Sequence, residues 1–181
     1  ERLSDCPPNY WCTWATQGSQ LGRSIAGGKL DFPGDQGRPG QRDNLNEAVL
    51  FGQGGWAVSD WEGARKDLYL MLDDGWDVPY GAKNVKGAPS PFGSCVPDAR
   101  RFPSLSGPPE ARLKALNDKV RRLGWRGLAL WVACQTPGEA NGSPFPDERS
   151  RAAWAERMRI SRAAGIGYWK VDWGMHSGSA T

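Results

Sequence analysis

Histidine is almost missing from this chain: His176 is the only one, and no two of the four cysteines have the two-residue spacing of a zinc knuckle. A metal centre built on histidine or cysteine is therefore not expected. Long apolar runs are missing as well, since no stretch approaches the ~18 residues of a membrane span. Charge of one sign is not in excess either. The 23 basic and 20 acidic residues leave a net charge of +3 with no Lys/Arg block, which gives no electrostatic footprint for nucleic acid. No G-x-G-x-x-G follows the first predicted strand, which argues against a doubly wound nucleotide-binding sheet, and no cofactor is expected.

What the chain does have is aromatic rings set among loop residues. Ten tryptophans accompany 24 glycines and 14 prolines in 181 residues, a composition of long, structured loops carrying flat apolar faces. Such faces stack on sugar rings but more commonly fill cores. The cysteines are Cys6, Cys12, Cys95 and Cys134, which allow three pairings in an oxidising compartment. Cys95 and Cys134 fall in loops on one face, so one reading joins them and the other leaves four free thiols.

The apolar patterning alternates between strands and helices. Tyr10 to Thr16 reads as a first strand, followed by a loop over 17–41 that holds seven glycines and two prolines. Asp43 then reads as the N-cap of a helix with Leu45, Ala48, Val49 and Leu50 on its apolar face. Ser59 to Lys66 reads as a second short helix. Asp67 to Asp73 (DLYLMLD) is almost continuously apolar, as expected of a strand buried on both faces of a parallel sheet. After a proline-rich loop over 77–109, Glu110 to Leu123 places apolar residues at 113, 116, 120 and 123. That is helical spacing, and Gly124 is its stop. Gly127 to Ala133 is a second buried strand, Glu148 to Ala164 a helix closed by Gly165, and Gly167 to Trp173 a last strand.

Strands alternating with helices predict a parallel α/β sheet. The long loops follow strands and the short ones follow helices, the asymmetry of a (β/α)₈ TIM barrel whose functional loops sit at the C-terminal strand ends. Such a barrel takes ~250 residues. The expectation is therefore that residues 1–181 supply about the first four βα units, the N-terminal half of a catalytic barrel, and that a second chain or a missing C-terminal half completes it.

Polar residues gather where these strands end. At the end of the first lie Trp14 and Thr16, at the second Asp73, Asp74 and Trp76, at the third Trp131 and Gln135, and at the fourth Lys170, Asp172 and Trp173. Strands alternate faces, so Lys170 and Asp172 point the same way. A lysine beside an aspartate favours the ionised carboxylate, and an ionised, positioned carboxylate is what a glycosidase nucleophile requires. Asp73 and Asp74 suit hydrogen bonds from vicinal hydroxyls, and the tryptophans suit stacking. Residue by residue, the plainer alternative is an ion pair between Lys170 and Asp172 and a turn at Asp73-Asp74-Gly75.

Taken in order, WCTW (Trp11–Trp14), LDDGW (Leu72–Trp76), RFPS (Arg101–Ser104), LGW with GLALWV (Leu123–Val132) and WKVDWG (Trp169–Gly174) resemble clan D glycoside hydrolases. These are the α-galactosidase-like enzymes of families 27 and 36, with WCTW similar to the raffinose-synthase branch and Trp131 to bacterial family 36 enzymes. The resemblance runs from about Tyr10 to Gly174. It implies a retaining mechanism with Asp172 as nucleophile. Lys170, Asp73 and Asp74 would bind sugar hydroxyls and Trp131 would line the same pocket, beside which the strand-end Trp14, Trp76 and Trp173 are read as stacking on the ring. It also implies no metal or cofactor, and an acid/base carboxylate after a sixth strand. The expected partner is a carbohydrate, with α-galactoside-like sugars first. Transglycosidation, a related sugar such as an arabinopyranoside or N-acetylgalactosaminide, and a non-catalytic carbohydrate-binding barrel are the alternatives. Asn141-Gly142-Ser143 matches a glycosylation sequon, which leans the expected location toward outside the cell.

Overall fold

The computed structural model describes residues 8–19, 39–82, 88–89, 91–134 and 148–172, and within them four parallel strands lie side by side in the order β1-β2-β3-β4. They are β1 Tyr10–Cys12, β2 Tyr69–Leu72, β3 Gly127–Ala133 and β4 Trp169–Asp172. The helices are α1 Trp14–Ser19, α2 Pro39–Asp43, α3 Glu47–Phe51, α4 Trp56–Ser59, α5 Pro109–Arg122 and α6 Glu148–Ala163. Strand order equals sequence order, so each strand pairs with the next by a crossover, as a barrel wall built from βα units does.

β3 is buried at every position because both of its faces are covered. On the outer face Leu70, Leu72, Leu128, Leu130 and Val132 pack with Leu113, Leu116 and Val120 of α5 and with Ile160 of α6. Each such leucine or valine contributes ~1.5–3 kcal/mol by leaving water. The 113, 116, 120 spacing thus meets the sheet as its periodicity predicts. Gly124 ends α5 with φ +93°, and Gly165 follows α6 with φ +71°, left-handed conformations that glycine adopts without a Cβ penalty. Asn117 locks this layer together. Its side-chain amide donates to the Ala164 carbonyl at 2.9 Å, and its oxygen accepts the Leu128 N–H at 2.9 Å.

The sheet is curled. Strands sit ~4.8 Å apart, so a flat sheet would hold β1 and β4 about 14 Å apart. Yet the ring of Tyr10 on β1 lies 5.5 Å from that of Tyr168 beside β4. Tyr69 of β2 approaches Tyr168 at 5.9 Å. The three tyrosines floor the concave face beneath Met71 and Ala129, which are fully buried. The coarse expectation is met: a parallel, curled, half-barrel-like sheet with helices on its convex side.

Several local expectations are corrected. The first strand ends at Cys12, and Trp14 and Thr16 belong to α1. Thr13 makes the break, because its hydroxyl takes the Asp73 N–H from the neighbouring strand end. The supposed loop over 17–41 carries helix at both ends, in α1 and α2. Asp43 is the last residue of α2, and Asn46 caps the following helix by accepting the Val49 N–H at 3.0 Å. In place of one helix over 59–66 there are α4 and a 3-10 turn at Arg65–Asp67, separated by Trp61 at φ +58°. Cys12, Cys95 and Cys134 are free thiols, so the Cys95–Cys134 bridge is not formed. Cys6 lies outside the described residues, as do Gln135, the Asn141 sequon and Trp173.

Candidate active site

The register that builds the sheet also builds the site. Leu72 pairs with Leu130, and Trp131 pairs with Lys170, so Asp73, one step past β2, stands beside Trp131 and then Lys170 across the concave face. Lys170 reaches over the Trp131 strand and donates to Asp73 Oδ2 at 2.9 Å. Its ammonium lies 3.6 Å from Asp172 Oδ2, and the Trp131 indole N–H donates to that same oxygen at 3.2 Å. Two carboxylates, one ammonium and one indole thus converge at three successive strand ends.

Their environments differ. The Asp73 side chain is 3 % exposed and that of Asp172 is 51 % exposed, so the second is open to solvent and the first is not. Burial works against the charged form of Lys170, but Asp73, Cys12 and Asp172 outweigh it and hold the ammonium above the usual lysine range. The expected Lys170–Asp172 pairing is therefore present but secondary: the hydrogen bond of Lys170 goes to Asp73.

Asp74 turns another way. Arg42 Nε donates to its Oδ2 at 2.8 Å, with both side chains nearly enclosed. Burial raises the Asp74 carboxyl above the usual carboxylate range, against the pull of Arg42. The adjacent aspartates therefore have separate counter-ions, Lys170 for one and Arg42 for the other. Gly75, at φ +122°, continues the chain where a Cβ would strike the Arg42 carbonyl at 2.8 Å, so Gly75 is required for Arg42 to sit this close.

The start of the chain holds the acidic pair in place. The Thr13 hydroxyl accepts the Asp73 N–H at 3.0 Å and donates to Gln17 at 2.6 Å. The Gln17 amide donates to the Asp74 carbonyl at 3.0 Å, and Asp73 Oδ1 accepts the Asp74 N–H at 2.8 Å. Behind them Arg101, buried, donates to the Arg42 carbonyl and to Asp43 Oδ1.

Four tryptophans were expected here. Trp131 is in the site through its N–H, with Phe92 packed edge-on against its ring at 6.2 Å. Trp76 is corrected: it is fully buried, and its indole donates to the Trp131 carbonyl at 2.8 Å, so it is core and presents no face to a ligand. Trp14 is half-buried as the first residue of α1, two positions past the end of β1, and not in the strand where it was expected. Trp173 lies outside the described residues. Cys12, Thr13, Gln17, Arg42 and Arg101 were missed as site residues. Cys12 and Thr13 left a signal inside WCTW and Arg101 inside RFPS, whereas Gln17 and Arg42 left none.

Asp77 secures the segment that carries Phe92. Its Oδ2 accepts the Cys95 N–H at 3.0 Å, and its carbonyl accepts the Ser94 hydroxyl at 2.9 Å. Full burial, opposed by the Cys95 bond and reinforced by Asp74, pushes its carboxyl up to about 6. A carboxyl raised on folding favours the folded state most below its unfolded value near 4, and that contribution is lost as pH rises through 6. Asp77→Asn keeps the acceptor for Cys95 and removes the buried charge. It is expected to be more stable than the wild type by ~1–3 kcal/mol at pH 7.5, the gap closing toward pH 4. Urea unfolding across that range checks this, and a pH-independent gap would contradict it.

No protein-family model, curated protein or solved structure matches this chain.

Proposed function

We propose that the chain is the nucleophile-bearing half of a retaining glycoside hydrolase of the clan D type, acting on α-galactoside-like sugars. The observation that carries this reading is the convergence of Asp73, Trp131, Lys170 and Asp172 at the C-terminal ends of β2, β3 and β4, where a (β/α)₈ barrel keeps its catalytic groups. Asp172 is the exposed carboxylate and attacks the anomeric carbon. The carbon–oxygen bond to the leaving group breaks, and a carboxylic acid protonates the departing oxygen. Water then attacks the anomeric carbon of the glycosyl-aspartate, the bond to Asp172 breaks to free its carboxylate, and the carboxyl that gave its proton in the first half takes one from the water. A retaining pair is separated by ~5–5.5 Å, so the acid/base belongs within that distance of Asp172 on a part of the barrel beyond β4. Lys170, partly exposed, offers a donor to a neighbouring ring hydroxyl, and the enclosed Asp73 holds that ammonium in place.

The finer fold belongs to the same reading: the sheet is half of a (β/α)₈ barrel with β1 and β4 as its open edges. A groove of about 1120 Å³ on the convex side is lined by Trp154, Met158, Ile166, Trp169 and Val171. It lies where the repeat would lay the next helix, whether from a second chain or from more of this one. The second reading, a carbohydrate-binding barrel without turnover, keeps the same strand-end cluster but has no acid/base carboxyl near Asp172.

An epoxide inactivator of galactose configuration separates the two. Incubated with the complete protein and mapped by peptide mass spectrometry, it is expected to esterify Asp172. Attachment to another carboxylate, or reversible binding with no adduct, would overturn the hydrolase reading.

A further inference from the structure

We propose that Cys12 is a positioning residue of this site, its thiol sharing Asp73 Oδ2 with the Lys170 ammonium and so fixing where that ammonium stands between Asp73 and Asp172. Cys12 ends β1 and points onto the concave face. Its sulfur lies 2.9 Å from Asp73 Oδ2, the same oxygen that Lys170 approaches at 2.9 Å. A thiolate so near a carboxylate would be repelled, so the proton stays on sulfur and is donated to the oxygen. Asp73 Oδ1 is taken by the Asp74 N–H, which leaves the carboxylate no rotation that would keep its partners. Its three donors come from β1, from the chain after β2, and from β4. Removing the thiol leaves Oδ2 to Lys170 alone, which draws the ammonium further from Asp172.

The groups facing the thiol agree with this arrangement. Burial, then the Asp73 charge and its hydrogen bond, push the thiol up to about 12, while the Trp14 backbone and Lys170 pull the other way. Cys12 is therefore a proton donor in the working pH range and not a nucleophile.

The consequence for turnover rests on the hydrolase reading, whereas the thiol–carboxylate coupling does not, so the test has two arms. The first measures alkylation of Cys12 in the folded, complete protein by iodoacetamide between pH 7 and 10, followed by peptide mass spectrometry. In Asp73→Asn the negative neighbour is gone, and Cys12 is expected to react at least ~10-fold faster than in the wild type at pH 8.5. In Lys170→Met it is expected to react more slowly. Equal rates in wild type and Asp73→Asn would overturn the proposal. The second arm compares aryl-glycoside turnover by Cys12→Ala and Cys12→Ser. A fall of about tenfold in kcat with KM changed less than twofold, recovered by the serine hydroxyl, supports positioning. An unchanged kcat in Cys12→Ala overturns it. If the wild-type protein turns over no glycoside, the hydrolase reading fails, and the alkylation arm alone decides the role of Cys12.

Discussion

Mixed with a dinitrophenyl α-galactoside, the complete protein is expected to release a burst of one equivalent of dinitrophenol per chain, and the Asp172→Ala variant is expected to release none. Dinitrophenolate is so weak a base that it departs without a proton. The first half of the reaction then needs only the nucleophile and not the acid/base. The burst therefore isolates what these strands contribute. Asp172 suits that work because it is half-exposed at the tip of β4 with one oxygen steadied by the Trp131 N–H. Deleting the nucleophile of an enzyme of this kind costs on the order of 10⁴-fold or more in rate. The alanine also opens space at the face from which the carboxylate would attack. Added azide is expected to restore release of the phenol, its nitrogen bonding to the anomeric carbon as the phenolate leaves, and to give a glycosyl azide of inverted configuration. A full burst from Asp172→Ala would end the assignment of this residue. Loss of the burst without azide rescue, in a variant that still unfolds cooperatively, would point to a structural role.

The largest effect on stability is expected at Arg101. Its guanidinium is 1 % exposed and donates to the Val78 carbonyl at 2.6 Å, the Arg42 carbonyl at 2.5 Å and Asp43 Oδ1 at 2.5 Å. Arg101→Met keeps much of the volume but removes these donors and strands the Asp43 carboxylate, whose other partner is the Gly81 N–H. Breaking a buried pair from one side costs ~3–5 kcal/mol, chiefly for the charge left behind. Urea unfolding is expected to show that loss as a shift in midpoint. The double variant Arg101→Met/Asp43→Asn, with no stranded charge, is expected to recover at least ~1 kcal/mol of it. Strict additivity of the two substitutions would show that the pair is not coupled. Arg101 also bonds the carbonyl of Arg42, which pairs with Asp74, so partial inactivation is expected even where the variant folds.

The difference between what sequence patterning made visible and what it hid follows from the range of the forces involved. α5 and α6 were legible because each is long enough for its apolar residues to repeat at the helical period, and β2 and β3 because an unbroken apolar run marks a strand buried on both faces. Their ends were marked by Gly124 and Gly165, whose backbone conformations glycine favours. β1 was misjudged at its end because three strand residues carry no period, and what stops the strand is a hydrogen bond from Asp73, 60 positions away. Asp73, Lys170 and Asp172 were legible as strand-end charges. The bond of Lys170 to Asp73 was not, since it depends on the parallel register between β2 and β4 through β3. Arg42 and Gln17 left no mark because their partners lie 32 and 57 positions away. Trp76 was misassigned because a tryptophan after two aspartates looks the same in sequence whether its ring faces solvent or core.

The three-residue strand at the start of the chain has a dynamic consequence. β1 and β3 close onto β2 over loops of nearly equal length, since Tyr69 pairs with both Tyr10 and Gly127, but β1 fixes only three strand residues in return, so it is the wall strand with least to hold it. Thr13 and Gln17 travel with β1, so the acidic pair at the end of β2 keeps those two anchors only while β1 stays paired. Fraying of β1 is therefore expected to loosen the two carboxylates while the rest of the wall stays paired.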